Sequence, residues 1–101
     1  MEILKTNENG KITLKIDGWL DTVNSPVLGE EIEAIDSASE IVLDFEKVEY
    51  IASSGLRQVV SCHRKAKELN AAFCIVNVGN EVMSIFELTG LHKKLDIFAK
   101  K

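Results

Sequence analysis

Polar and apolar residues alternate with a period of two near the N-terminus. The alternation covers Ile12–Asp17 and predicts a strand with one solvent-exposed face. Met1–Leu4 is apolar enough for a short edge strand, and Glu8–Gly10, which contains an Asn-Gly pair, predicts a hairpin turn between the two strands. We expect Gly18–Asp21 to leave the second strand and begin a loop.

Further along, unbroken apolar runs alternate with segments of helical periodicity. Ile41–Phe45 and Phe73–Val78 predict strands buried on both faces, and a short link, Glu46–Glu49, is expected to follow the first of them. Apolar residues spaced by three and four predict three helices. These helices begin at Ser25 and Pro26, at about Gly55, and at Gly79 and Asn80, and a last short strand is predicted at Leu95–Phe98.

The predicted order of elements is β, β, α, β, α, β, α and a final β. Alternating strands and helices require crossover connections, which produce a largely parallel sheet. The chain, residues 1–101, is therefore predicted to form a single α/β domain. Its mixed, mostly parallel sheet would have four to five strands with about three to four helices. Functional sites of such sheets gather at the carboxyl ends of the strands, where Ala52–Gly55 is placed.

The longest predicted helix runs from about Gly55 to Leu69. Six residues repeat at helical spacing and are predicted to face the core: Leu56, Val59, Val60, His63, Ala66 and Leu69. His63 is interpreted as a partly buried structural histidine. On a regular helix it lies roughly 15 Å from Ser53, which argues against a catalytic pair. Asn70 is expected to end this helix in a left-handed turn. Gly90 is expected to end the next helix.

Composition and charge exclude several classes of function. The 101 residues carry a net charge of −4, which argues against a surface for nucleic acid or anionic membranes. No apolar run is long enough to span a bilayer and no signal peptide is recognisable, so we expect a cytoplasmic protein. Cys62 and Cys74 form neither a disulfide framework nor a metal-ligand spacing with the histidines, and they are interpreted as buried reduced thiols. No metal or cofactor is expected.

Two serines and a glycine follow the first buried strand and open the longest helix. The first amides of a helix have no partner within it and carry partial positive charge, so a phosphate on Ser53 would be stabilised there. The plainer interpretation is a helix cap, because serine is a preferred capping residue. We assign the cap to Ser54 and a modifiable hydroxyl to Ser53. Gly55 is expected where the backbone must turn or approach another segment closely.

Three short segments, in the right order, resemble the STAS domain family, and in particular its small bacterial anti-sigma factor antagonists. Gly18–Asp21 resembles the family's Gly-x-Leu-Asp before the first helix. Ile41–Phe45 followed by Val48–Leu56 resembles its strand, link and Asp/Ser-Ser-Ser/Ala-Gly-Leu loop, and Phe86–Leu91 resembles its Leu-Thr-Gly-Leu turn. Each segment is short, but the ordered set spans nearly the whole chain and is quite specific.

The resemblance implies a non-catalytic partner switch. In that family the unphosphorylated antagonist binds an anti-sigma factor that is also an ATP-dependent serine kinase, and the binding releases the sigma factor. The kinase then phosphorylates the first serine of the loop, which is Ser53 here, and the complex separates. A phosphatase of the PP2C type resets the cycle, and sigma-factor-dependent transcription is controlled in this way. A monomer is the default expectation for this size and charge.

The resemblance also implies which residues contact the partner. They are Asp21, Ala52, Ser53, Ser54, Gly55, Leu56 and Arg57. Asp21 could equally cap the turn that follows it, and Trp19 could be either an exposed aromatic anchor or a packed residue at a strand end. At Ala52 the chain departs from the family, which often has an aspartate there.

Two rival functions are weighed. A nucleophilic serine enzyme is disfavoured because the chain lacks both the Gly-x-Ser-x-Gly elbow and a His-Asp pair placed beside Ser53. The stronger rival is a STAS scaffold subunit of a lipid-transporting ABC assembly or of a stress-signalling complex, without a phosphorylation cycle. Ala52 favours that alternative. Neighbouring genes would discriminate: a serine kinase and sigma factor, or a permease and an ATPase.

Overall fold

Five strands pair in sequence order to form one mixed sheet in the computed structural model, which describes residues 1–100. The strands are β1 (Glu2–Glu8), β2 (Lys11–Leu20), β3 (Glu40–Ile51), β4 (Ala72–Val78) and β5 (Ile97–Ala99). The helices are α1 (Ser25–Glu33), α2 (Ser53–Glu68) and α3 (Asn80–Thr89), followed by a short 3-10 helix, Leu91–Lys93. Strands β1 and β2 are antiparallel and the other pairs are parallel. The predicted α/β class and mostly parallel sheet are confirmed.

The N-terminal hairpin forms as its sequence predicts, with a longer first strand. Asn9 and Gly10 both have positive φ, 54° and 92°, as a tight two-residue turn requires. Strand β1 pairs with β2 along its whole length, from Glu2 opposite Asp17 to Glu8 opposite Lys11. The edge strand therefore extends four residues beyond the predicted Leu4.

Two segments that were predicted as connections belong to strands. The loop expected at Gly18–Asp21 is wrong because β2 continues to Leu20, and the link expected at Glu46–Glu49 is wrong because β3 continues to Ile51. The two extensions pair with each other. Their register shifts at two irregularities, which interrupt the alternation of buried and exposed residues that a sequence pattern detects.

One face of the sheet carries the hydrophobic core. Register partners on the central strands are buried together: Ile12, Ile41 and Phe73 in one row, and Leu14, Leu43 and Ile75 in the next. Ile16 of β2 and Phe45 of β3 belong to the same buried cluster. The same cluster contains buried residues of α1, α2 and α3, so the three helices cover the same face. This arrangement leaves the C-terminal ends of β2 and β3 side by side at one edge.

The buried stripe of α2 is rotated from its predicted position. The fully buried residues are Gly55, Val59, Cys62 and Ala66, whereas His63 is half-buried with its ring 5.6 Å from that of Phe73. Burial raises the pKa of the Cys62 thiol to about 12. Cys74 is half-buried, and its pKa is also raised, mainly by burial and to a smaller extent by the negative charge of nearby Glu40.

The helix ends follow their local signals. Asn70 and Gly90 adopt the predicted left-handed conformation after α2 and α3, with φ of 58° and 77°. At the start of α1, Asn24 occupies the capping position and Ser25 is the first helical residue, so the helix begins one residue earlier than the predicted cap at Ser25 and first helical residue at Pro26. Within residues 1–100, no helix is long and apolar enough to cross a membrane.

Candidate functional site

Two loops meet where β2 and β3 end. The amide of Ala52 donates to the carbonyl of Leu20 at 2.9 Å, which joins the start of α2 to the end of β2. The hydroxyls of Thr22 and Ser54 lie 3.3 Å apart, in the loop before α1 and the first turn of α2. Residues at this edge therefore form one continuous surface, as expected for the carboxyl ends of parallel strands.

Ser53 is the first residue of α2 and its side chain is exposed. Leu56 is the first residue of the helix whose amide makes a backbone hydrogen bond, to the carbonyl of Ala52 at 3.0 Å. The amides of Ser53, Ser54 and Gly55 precede that bond and remain available as donors. The first turn contains no acidic residue, and the last contains Lys65 and Lys67. The entrance of α2 is thus electropositive and uncompensated by any carboxylate of its own.

The cap assigned to Ser54 is wrong. Ala52 occupies the capping position with extended backbone, φ −94° and ψ 175°, and no side chain caps the helix. Ser54 is half-buried instead, with its hydroxyl turned toward Thr22. A contact between the first turn of α2 and a loop distant in sequence therefore replaces the local cap that the sequence favoured.

Gly55 allows α2 to approach β2 closely. A Cβ atom at this position would lie 2.5 Å from the carbonyl oxygen of Leu20 and 2.7 Å from Cγ1 of Ile51. The helix backbone could not keep its place with any side chain there, so the expected close approach is confirmed. This close contact fixes the position of the first turn of α2, and therefore of Ser53, relative to the ends of β2 and β3.

Arg57 lies one helical turn after Ser53, and both side chains are exposed. Residues separated by four positions are neighbours on a helix surface. Arg57 forms no ion pair with any other residue in 1–100. Leu56 is half-buried and lines a shallow groove with Val60 of α2 and Leu91 beyond α3. A cation and an apolar side chain thus lie about one helical turn from Ser53.

Asp21 organises the loop that faces Ser53. Its carboxylate accepts the amide of Asn24 at 2.9 Å, and its carbonyl accepts both the amide and the hydroxyl of Ser25, at 2.8 and 2.6 Å. Ser25 is buried, and these bonds satisfy it. Of the two roles left open for Asp21, the capping role is confirmed by these bonds.

The sequence reasoning missed the apolar part of this edge. Val23 in the loop after β2 is 82% exposed, and Val27 on the first turns of α1 is 40% exposed. Where exposed apolar side chains form a contiguous patch, they mark a surface that another protein covers, and these two valines are candidates for such a patch. Their spacing of four, ahead of the buried Leu28 and Ile32, was the available signal.

Comparisons with known proteins agree on one family. A family model of the STAS domain matches residues 2–101. The anti-sigma-B factor antagonist of Bacillus subtilis is 29% identical over 98 residues, which cover 96% of this chain and 89% of that protein. The crystal structure of an anti-sigma factor antagonist from Mycobacterium paratuberculosis has a TM-score of 0.85 at 29% identity, covering 96% of this chain and 84% of the other.

A third comparison supports the fold alone. The Bacillus cell fate determinant SpoIIAA, in its phosphorylated form, has a TM-score of 0.66 at 16% identity, covering 95% of this chain and 90% of the other.

Proposed function

The chain belongs to the STAS domain family, and from that premise we propose that it is an anti-sigma factor antagonist switched by phosphorylation of Ser53. In the unphosphorylated state it binds an anti-sigma factor, which then releases its sigma factor. The anti-sigma factor also acts as a serine kinase, phosphorylates Ser53 and is released. Support comes from similarity to named antagonists along nearly the whole chain.

The observation that carries this proposal is the setting of the Ser53 hydroxyl. It is exposed, it opens a 16-residue helix, and the apolar residues Val23 and Leu56 lie on the elements around it. A kinase can reach such a hydroxyl, and a partner that covers the same edge must contact it. Modification and binding therefore compete for one side chain.

The free domain tolerates a phosphate at Ser53. The unpaired amides at the start of α2 can donate to its oxygens, and the helix dipole contributes on the order of 1 kcal/mol. Arg57, one turn further on, is placed to pair with it, and charge-assisted hydrogen bonds to phosphate are among the stronger ones. The modified domain should stay folded.

The complex with the anti-sigma factor does not tolerate a phosphate on Ser53. A phosphate adds about −1.5 to −2 charge to a domain that already carries −4. A partner surface that fits a neutral hydroxyl and two valines must desolvate that charge or move away. A loss of about 3 kcal/mol weakens binding roughly a hundredfold.

The remaining residues of the proposed partner surface support Ser53. Asp21 holds the adjacent loop, and Gly55 sets the position of the helix, while Ala52, Ser54, Leu56 and Arg57 complete the edge. We assign no catalytic role to Ser53, because His63 contacts Phe73 and no His-Asp pair accompanies the serine. The protein would act in the cytoplasm as a monomer, and a phosphatase of the PP2C type would reset it.

A second candidate function is favoured by one residue. Ala52 precedes Ser53 where many family members have an aspartate, so a carboxylate that could orient the hydroxyl toward a kinase is missing. A STAS scaffold subunit in a lipid-transporting ABC assembly or a stress-signalling complex would need no such group. In that case the same edge would bind its partner permanently.

A displacement assay tests the proposed function. We expect the unphosphorylated protein to displace sigma factor from its complex with the anti-sigma factor, and native mass spectrometry would follow the three species. After ATP is added, the wild-type protein should dissociate, whereas Ser53→Ala should remain bound. Persistent binding of both proteins after ATP addition would contradict the switch and favour the scaffold function.

A further inference from the structure

Two aromatic side chains are exposed beside each other at the ends of the central strands. Trp19 of β2 and Tyr50 of β3 are register partners with ring centroids 5.8 Å apart and planes inclined at 58°. They are 56% and 46% exposed, whereas the next residues, Leu20 and Ile51, are buried. The alternation of side chains along a strand therefore directs the pair away from the core. Exposed aromatic pairs are typical anchors of binding sites.

Two glutamates complete a cleft around this pair. Trp19, Tyr50, Glu49 and Glu81 line a cavity of about 340 Å³. Glu49 is the extra residue of a bulge, since Gly18 and Trp19 are consecutive but their partners Val48 and Tyr50 are not. Such bulges redirect side chains. Neither glutamate forms an ion pair with a residue in the described part of the chain.

The charged residues near the cleft indicate whether its ligand is a cation or an anion. An adjoining cavity of about 550 Å³ shares Glu49 and Glu81, and it adds Asp17 and Glu46 against two lysines. One of these, Lys100, donates to the carbonyl of Glu46 at 2.8 Å, and Glu46 itself pairs with Lys15. The acidic groups outnumber the cations, which disfavours an anionic ligand and favours a cationic one.

We propose that the cleft formed by Trp19, Tyr50, Glu49 and Glu81 binds an arginine or lysine side chain from a basic segment of the partner protein. A cation over an aromatic face is attracted by the ring quadrupole, and the two carboxylates supply the opposite charge. A guanidinium fits best, because it stacks on aromatic planes and donates to carboxylates at the same time. The identification of this partner with the anti-sigma factor rests on the proposed function; the binding of a cation does not.

The cleft extends the partner surface around the end of the sheet. Trp19 lies two residues before Asp21, and Tyr50 three residues before Ser53. A partner seated over Ser53 therefore has to extend only a short basic segment past the ends of β2 and β3 to reach the aromatic pair. Binding in this cleft adds specificity for the partner at a place that the phosphate does not touch.

Fluorescence of Trp19, the one tryptophan of the chain, tests the proposal without any partner. An acetylated tetra-arginine peptide is titrated into the protein, and a tetra-citrulline peptide of nearly equal size serves as the neutral probe. We expect a saturable change in emission with arginine only. The double variant Glu49→Gln, Glu81→Gln should weaken peptide binding about tenfold, since it removes two charged contacts.

The double variant Glu68→Gln, Glu87→Gln is the matched control. It makes the same change in net charge at two exposed glutamates elsewhere on α2 and α3, and it should bind the peptide like the wild type. Equal weakening in the two double variants, equal binding of citrulline, or no change in emission would each overturn the proposal. None of these outcomes bears on Ser53, because the titration contains neither kinase nor anti-sigma factor.

Discussion

Ser53→Asp is expected to bind the anti-sigma factor about a hundredfold more weakly than the wild-type protein. The carboxylate places a fixed charge at the start of α2, where the partner is proposed to meet a neutral hydroxyl between exposed apolar side chains. Burying one unpaired charge in an interface costs about 2–5 kcal/mol, which covers this loss of affinity. Isothermal titration calorimetry would measure it, and the variant should be as stable as the wild type, because an acidic residue in the first helical turn is favourable.

Two matched variants separate charge from position. Ser37→Asp makes the same change at an exposed serine that precedes the N-terminal end of β3, whereas Ser53 follows its C-terminal end, and this variant should bind with wild-type affinity. Ser53→Ala keeps the site neutral and should also bind like the wild type. If Ser37→Asp weakened binding as much as Ser53→Asp, net charge rather than the site would control the interaction.

Gly55→Ala is expected to lower the free energy of unfolding by about 2–3 kcal/mol. The added methyl group would overlap the carbonyl oxygen of Leu20 at 2.5 Å and Cγ1 of Ile51 at 2.7 Å, so α2 must move away from the sheet. For a domain of this size the loss corresponds to a fall in Tm of roughly 8 °C or more, which differential scanning calorimetry would detect.

Gly79→Ala is the control for this prediction. Gly79 caps α3 and Gly55 lies in the first turn of α2, but a Cβ atom at Gly79 would have no heavy atom within 4 Å, and its φ of −71° suits any residue. We expect its free energy of unfolding to stay within about 0.5 kcal/mol of the wild type. A small effect at Gly55 together with wild-type partner binding would show that the close approach of α2 to β2 is dispensable.

Local signals predicted the turns and the order of the elements. The Asn-Gly pair at residues 9 and 10, Asn70 and Gly90 each adopt the left-handed backbone that their residue types favour. These conformations depend on the residue itself and need no information from the rest of the fold. The alternation of strands and helices then fixed the parallel sheet through its crossovers.

Features that depend on distant neighbours escaped prediction. Strand β3 continues through Glu46–Glu49 because the far end of β2 pairs with it, and the bulges hide the pattern. Ser54 turns to Thr22 rather than capping α2, a contact across 32 positions of sequence. Cys62, rather than His63, faces the core, because small residues allow α2 to lie close to the sheet along that stripe.

The sequence predicted which residues belong to the candidate site, but it did not predict how they are arranged in space. Ser53 was predicted at a strand-to-helix junction, where its side chain is exposed, but the exposure of the valines at 23 and 27 was not predicted from their spacing. The pairing of Trp19 with Tyr50 also required the register of β2 on β3. A surface that is assembled from several loops depends on the topology of the fold, and the pattern of residues within one segment carries no information about that topology.

Phosphosite mapping tests the central claim most directly. The protein is incubated with its anti-sigma factor kinase and ATP, and intact-mass and peptide mass spectrometry then count and locate the phosphate in the wild type, Ser53→Ala and Ser54→Ala. We expect one phosphate on Ser53 in the wild type and in Ser54→Ala, and none in Ser53→Ala. A phosphate on Ser54 or Thr22, or no phosphate on the wild-type protein, would contradict the account.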